Sequence, residues 1–195
     1  MHPENAKTIK LDVAQVLFPV RTLGSGERLC VWVRGCSRHC PDCASPEFQL
    51  RSGPGIPIRQ LLEQLPLFPT CTGLTVSGGE PFDQVEGVLE LVRWFKASYS
   101  DDVLLYTGYT LQELHHRGQP QTEELICAAA AIVDGPYRKE ENDGRGLRGS
   151  ANQKLYVFRH PERYADFLQT ERKLQAFSTG ERIVMVGIPD PVRRD

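Results

Sequence analysis

The chain has 195 residues, with 23 Lys plus Arg against 25 Asp plus Glu and a formal net charge of −2. That balance, without any block of like charge, excludes a strongly basic nucleic-acid groove and an acidic tail, and the longest apolar run, residues 125–133, is far short of a bilayer span. The start Met1-His2-Pro3-Glu4-Asn5-Ala6-Lys7 has no basic region followed by an apolar core. The expectation is therefore one cytoplasmic domain over residues 1–195, folding without staples in a compartment that keeps thiols reduced.

In chain order, residues 13–18 are β-prone and closed by Pro19, and Gly24-Ser25-Gly26-Glu27-Arg28 is a turn by composition. Residues 29–34 form a second apolar strand that ends at Gly35 and opens a loop over residues 35–48. Residues 58–65 predict a short helix ended by Pro66. Residues 73–77 predict a strand running into Gly78-Gly79-Glu80-Pro81. Behind it, Val85, Val88, Leu89, Val92 and Phe95 recur at helical spacing. The unit repeats with a strand at 103–106 and a helix from Leu111 capped by Thr110. A further helix is expected from a Thr122 cap to Ala129, then a strand at 131–133. A polar, glycine-rich loop over 138–152 comes next, then a strand at 154–158, a helix over 161–177 carrying Tyr164, Phe167, Leu168 and Leu174 inward, and a last strand at 183–186. Alternating strands and helices argue an α/β fold with a parallel sheet or partial barrel and a core over about 10–190. Active sites of such folds gather at the C-terminal ends of the strands. Five unusual turns fall at such ends: the cysteine loop, Ser77-Gly78-Gly79-Glu80, Thr107-Gly108, Asp134-Gly135 and Gly187-Ile188-Pro189.

The loop at 35–48 carries Cys36, Cys40 and Cys43 in a C-x3-C-x2-C array. Thiolates so placed hold metal. A closed iron–sulfur cluster or structural zinc takes four protein ligands, so three cysteines leave one iron open to a small molecule. A Cys3His zinc site completed by His39, His115 or His116 is the competing reading of the same residues. Cys30, Cys71 and Cys127 lie in or beside apolar runs and read as buried small hydrophobes. The paired glycines Gly78 and Gly79 let a backbone approach a ligand closely, and Glu80 beside them is able to accept from an ammonium.

At these residues the chain resembles the radical S-adenosylmethionine (SAM) superfamily, whose signature is the C-x3-C-x2-C triplet and whose GGEP motif is matched by Gly78-Gly79-Glu80-Pro81. The resemblance implies a partial (β/α)6-type barrel and a [4Fe-4S] cluster on Cys36, Cys40 and Cys43. It implies SAM chelated to the open iron and cleaved by an electron from the cluster into methionine and a 5′-deoxyadenosyl radical. Gly78, Gly79 and Glu80 would hold the SAM amino group, and Ile188 would give apolar contact to adenine. Three further runs narrow the likeness: Tyr106-Thr107-Gly108-Tyr109-Thr110-Leu111-Gln112-Glu113-Leu114, Val133-Asp134-Gly135-Pro136-Tyr137 and Leu147-Arg148-Gly149-Ser150-Ala151-Asn152-Gln153. They resemble the activating enzymes of anaerobic ribonucleoside-triphosphate reductase. On that likeness Thr107 and Gly108 lie near SAM, with Asp134 and Arg148 as further cofactor-binding candidates. The implied partner is a glycyl-radical protein such as anaerobic ribonucleotide reductase or a relative, with flavodoxin or ferredoxin as reductant and no nucleic acid or membrane. Two positions depart from the superfamily's habit: Asp42 stands where an aromatic residue often precedes the third cysteine, and Ala44 comes after it. The alternatives are a radical SAM enzyme acting on a peptide or small molecule, and a non-catalytic iron–sulfur or zinc module.

Overall fold

The computed structural model describes residues 8–180 and 182–190. The first half runs β1 (Lys10–Leu11), β2 (Val13–Val20), β3 (Arg28–Val33), β4 (Ile56–Pro57), α1 (Ile58–Gln64), β5 (Gly73–Gly78) and α2 (Val85–Ser98). The second half runs β6 (Val103–Tyr106), α3 (Leu111–His116), α4 (Pro120–Ala128), β7 (Ala131–Asp134), β8 (Lys154–Val157), α5 (Pro161–Tyr164), β9 (Gln175–Thr179) and β10 (Arg182–Val186).

The centre is a six-stranded mixed sheet in the order β2-β3-β5-β6-β7-β8. Its four inner strands are parallel, and β2 and β8 pair antiparallel at the edges. All six residues of β3 are buried, as befits an inner parallel strand with both faces covered. Alternation divides the sheet cleanly. Leu29, Val31, Val33, Leu74, Val76, Val103, Leu105 and Ile132 face the helices and pack on Val88, Leu91, Val92 and Phe95 of α2 and Leu125 of α4. Each such buried side chain contributes about 1.5–3 kcal/mol of transfer free energy. The helices cover this face. The opposite face presents Cys30 and Trp32, which pack with Val186 of β10, and Leu104 and Val133, which pack with Leu147, Tyr164 and Phe167. Loops and the hairpin β9–β10 cover that side, and a cleft remains between them.

At the N-terminal end of the inner strands a buried ion pair joins three of them. Arg28 of β3 gives Nη1 to Asp102 at 2.8 Å, Nε to the Thr75 hydroxyl at 2.7 Å and Nη2 to the Leu74 carbonyl at 2.7 Å. Asp102 is held from its other side by Arg163 at 2.8 Å and by the Tyr164 hydroxyl. Each nitrogen of the Arg28 guanidinium thus has a partner, the condition under which a buried charge of this kind is tolerable.

Four expectations are corrected by the structure. The helix expected over 161–177 is only the short α5. Tyr164 and Phe167 are buried, but Leu174 is half-exposed and Gln175 already begins β9. The strand at 183–186 is real but pairs with β9 in a separate hairpin and not with the main sheet. Thr122 does not cap α4: Gln119 is the N-cap, Pro120 takes the first helical position, and Thr122 is buried. Cys127 is exposed, because the buried stripe of α4 is Thr122, Leu125 and Ile126 and Cys127 lies off it. Thr110, by contrast, is the expected cap of α3, in a capping box with Glu113. Among the described residues no helix is long and apolar enough to cross a membrane.

Candidate functional site

The parallel strands β3, β5, β6 and β7 all end at one edge, and each of them runs into a turn there. β3 delivers the cysteine loop. Its start is stitched down by the Gly35 and Cys36 amides, which donate to the Phe48 and Gln49 carbonyls at 2.9 Å each. The Gln49 side chain in turn donates to the Cys40 carbonyl at 3.2 Å. His39 between the first two cysteines has φ 45°, a left-handed conformation uncommon for a side chain-bearing residue. Cys36, Cys40 and Cys43 are all half-buried. Burial pushes the Cys36 thiol up, the Arg38 and His39 amides oppose that shift, and the Glu80 and Asp83 charges add to it. The Cys43 sulfur accepts from the Ser45 amide at 3.4 Å. Among the described residues no three His, Cys, Asp or Glu side chains are gathered around one point as a single metal ion would need. Ligands to a four-iron cube stand one to an iron, and three soft thiolates on one loop fit that group.

β5 delivers Ser77-Gly78-Gly79-Glu80, and the turn is knitted to the cysteine loop. The Gly79 amide donates to the Val33 carbonyl at 2.7 Å and the Glu80 amide to the Gly35 carbonyl at 2.8 Å. A Cβ on Gly79 would stand 2.3 Å from the Gly35 carbonyl oxygen, and Gly78 has φ +100°. Both positions therefore need glycine, one for space and one for backbone conformation. Glu80 is 1% exposed. Its Oε1 accepts the Phe82 amide at 2.9 Å and the Thr107 hydroxyl at 2.8 Å, and its Oε2 accepts the Gly108 amide at 2.8 Å. Burial outweighs these three bonds and raises the carboxyl to about 7. Thr107 and Gly108, from the turn after β6, thus meet Glu80 directly.

These turns line one cleft of about 370 Å³, within the range of small-molecule sites. Cys36, Cys40, Gly78, Gly79, Glu80, Thr107 and Gly108 lie on its wall. Ile188 lies there too, although the segment Gly187-Ile188-Pro189 reaches the cleft from the hairpin and not from a strand of the sheet. Cys43, Asp134 and Arg148 do not contribute to the wall, although Ala44 next to Cys43 does. Asp134 is buried and accepts the Leu111 amide at 2.7 Å, fixing the first turn of α3. Arg148 pairs with Asp143 at 3.1 Å and donates to the Gln153 carbonyl at 3.3 Å, bracing the loop over 138–152. The neighbours of these two, Gly135 and Gly149, are the ones that reach the cleft.

Sequence reasoning missed several residues of the site. Arg38, Tyr137 and Gln153 line the cleft. Arg172, buried, donates to the Arg148 carbonyl at 2.6 Å and the Pro189 carbonyl at 3.0 Å, tying the loop over 138–152 to the Ile188 segment. Asp42, the departure from an aromatic, is paired across the loop with Lys139 at 2.8 Å. Gln153 closes one of the motif runs, and that membership is the signal that could have found it. Arg172 sits in no pattern.

The comparisons with known proteins agree with this geometry. A family model described as "4Fe-4S single cluster domain" matches residues 22–156, which takes in the cysteine loop and the turns after β5, β6 and β7. Three proteins named anaerobic ribonucleoside-triphosphate reductase-activating protein are similar along most of their length. That of Vibrio cholerae is 32% identical over 152 residues, covering 72% of this chain and 95% of the relative. That of bacteriophage T4 is 29% identical over 139 residues, covering 68% and 85%. That of Escherichia coli K12 is 30% identical over 153 residues, covering 73% and 96%. The chain whose cysteine loop and strand-end turns meet at one cleft therefore belongs to the 4Fe-4S single cluster domain family and to the anaerobic ribonucleoside-triphosphate reductase-activating proteins.

Proposed function

We propose that this protein is a radical SAM activase that generates a glycyl radical on a partner enzyme, anaerobic ribonucleotide reductase. The observation that carries the reading is the shared cleft: the cysteine loop, the Gly78-Gly79-Glu80 turn and the Thr107-Gly108 turn, distant in sequence, form one wall. On this reading the mixed sheet, with helices on one face and the cleft on the other, is the partial barrel of the radical SAM kind, in a single domain. Cys36, Cys40 and Cys43 hold the [4Fe-4S] cluster, which supplies the electron for reductive cleavage of SAM. Everything else is positioning. Three of the roughly four acceptor sites of the Glu80 carboxylate are taken by Phe82, Thr107 and Gly108, and the site left over accepts from the SAM ammonium. Gly78 and Gly79 would let the backbone come close, and Ile188, on the cleft wall, would give apolar contact to adenine. Asp134 and Arg148 act at one remove, by fixing α3 and the loop over 138–152.

A cleft that held SAM between these turns would supply orientation to its chemistry, the contribution a protein makes to a bound cofactor. The reductant is a low-potential carrier such as flavodoxin or ferredoxin, and the setting is the reducing cytoplasm. The test is anaerobic incubation of the reconstituted protein with SAM, a reductant and anaerobic ribonucleotide reductase. A glycyl radical signal on the reductase, absent when Cys36→Ser replaces the wild type, is the expected result. Formation of 5′-deoxyadenosine with no radical on the reductase would instead favour a radical SAM enzyme with a peptide or small-molecule substrate.

A further inference from the structure

Asp83 lies in the turn after Glu80, and both of its carboxylate oxygens are directed at the cysteine loop. Oδ2 accepts the Ser37 amide at 2.8 Å, and Oδ1 contacts the Ser37 hydroxyl at 3.0 Å and the Tyr109 hydroxyl at 3.1 Å. The two hydroxyls also touch each other. A closed triangle of oxygens thus joins three segments: the cysteine loop, the turn before α2 and the turn after β6. Tyr109 is buried, with the Arg38 guanidinium 4.7 Å from its ring centroid and that of Arg117 at 3.8 Å. Contacts of that kind hold the phenol in place. Among the described residues the partners of the Asp83 carboxylate are an amide and two hydroxyls, none of them a cation. The carboxylate is thus held by neutral donors, and the Arg51 guanidinium reaches the Asp83 backbone carbonyl, at 3.4 Å, instead.

The potential of an iron–sulfur cluster depends on the charge around it and on the hydrogen bonds to its sulfurs. A carboxylate bonded to the residue next after Cys36 opposes the arrival of an electron nearby. By taking the Ser37 amide, Asp83 also withholds from the sulfurs a donor that would stabilise the reduced state. The two effects have the same sign. We propose that Asp83, held by Ser37 and Tyr109, is a potential-setting residue that keeps a cluster on Cys36, Cys40 and Cys43 strongly reducing. This rests on the radical SAM reading, which needs such an electron.

The test is a potentiometric titration monitored by electron paramagnetic resonance on wild type, Asp83→Asn and Tyr109→Phe, with iron and sulfide measured on each. Asp83→Asn is expected to raise the midpoint, so that at one applied potential the ratio of reduced to oxidised cluster increases about tenfold, equivalent to about 59 mV for one electron. Tyr109→Phe keeps the charge and removes a donor from it. Its midpoint is expected at or below that of wild type, and it carries the test alone should Asp83→Asn lose its cluster. An unchanged midpoint in fully loaded Asp83→Asn, or an upward shift in Tyr109→Phe, overturns the proposal while leaving SAM cleavage by wild type intact. Failure of the wild type to assemble a four-iron cluster overturns the underlying reading as well, and iron analysis tells the two failures apart.

Discussion

Substitution of Glu80 by Gln removes a buried group that exchanges a proton. The carboxyl is enclosed, and although three donors favour its ionised form, desolvation wins and raises it from 4.5 to about 7. In the unfolded chain it titrates at its ordinary value. Between pH 4.5 and about 7 the native state keeps a proton that the unfolded state has released, so stability falls as pH rises through this window and levels off above it. At about 1.36 kcal/mol per pH unit of difference the loss amounts to roughly 3 kcal/mol. Gln has no proton to exchange, so its stability should lack this fall. It should also start lower at acid pH, by about 1–3 kcal/mol, because its amide nitrogen meets the Gly108 or Phe82 amide where an oxygen had accepted. Urea unfolding of the metal-free protein under reductant, monitored by Trp32 and Trp94 fluorescence at about pH 5 and about pH 7.5, measures both effects. Parallel losses in wild type and Glu80→Gln across that range would refute the assignment of a buried, proton-holding carboxyl.

Three other perturbations are set by the same geometry. Asp102→Leu leaves Arg28 buried with only neutral acceptors, a cost of about 3–5 kcal/mol and a fall in thermal midpoint of about 10 °C. Arg28→Met should cost less, because Asp102 keeps Arg163 and Tyr164; equal losses measured by thermal melts would contradict the ordering. Gly79→Ala drives a Cβ onto the Gly35 carbonyl, a rigid backbone atom, and so separates the glycine turn from the cysteine loop. Weakening of SAM binding by about tenfold or more, read by equilibrium titration, is the expected result, equivalent to about 1.4 kcal/mol. The Asp42–Lys139 pair is about half exposed on both sides, so its charge reversal should cost under about 1 kcal/mol in chemical denaturation, and the difference should vanish in high salt.

Much of the site was legible because its chemistry is local. The cysteine triplet, the paired glycines with Glu80 and the Thr110 cap are each set by a few adjacent residues, and periodicity found β3, β5, α2 and β6 within a residue or two at most ends. What failed depends on direction or on distance. Nothing in residues 154–158 distinguishes an antiparallel edge strand from a fifth parallel one, since alternation carries no polarity. Tyr164, Phe167, Leu168 and Leu174 fall near helical spacing, yet only the first two find a core, and the hairpin β9–β10 takes over where packing against Trp32 and Val20 is available. Asp83, Tyr109 and Arg172 act on segments tens of residues away, and a lone polar residue advertises no such reach. Asp134 was placed at the site by its motif. Its carboxylate turns away to the Leu111 amide, while its neighbour Gly135 lines the cleft.

A cluster on three cysteines would leave one iron open to SAM beside the Glu80 turn. Electron paramagnetic resonance on the anaerobically reconstituted, reduced protein, recorded with and without SAM, tests it most directly. The expected result is a four-iron signal that changes on adding SAM and is lost in Cys36→Ser, Cys40→Ser and Cys43→Ser alike. A four-iron signal indifferent to SAM, or zinc bound in place of iron, would contradict it.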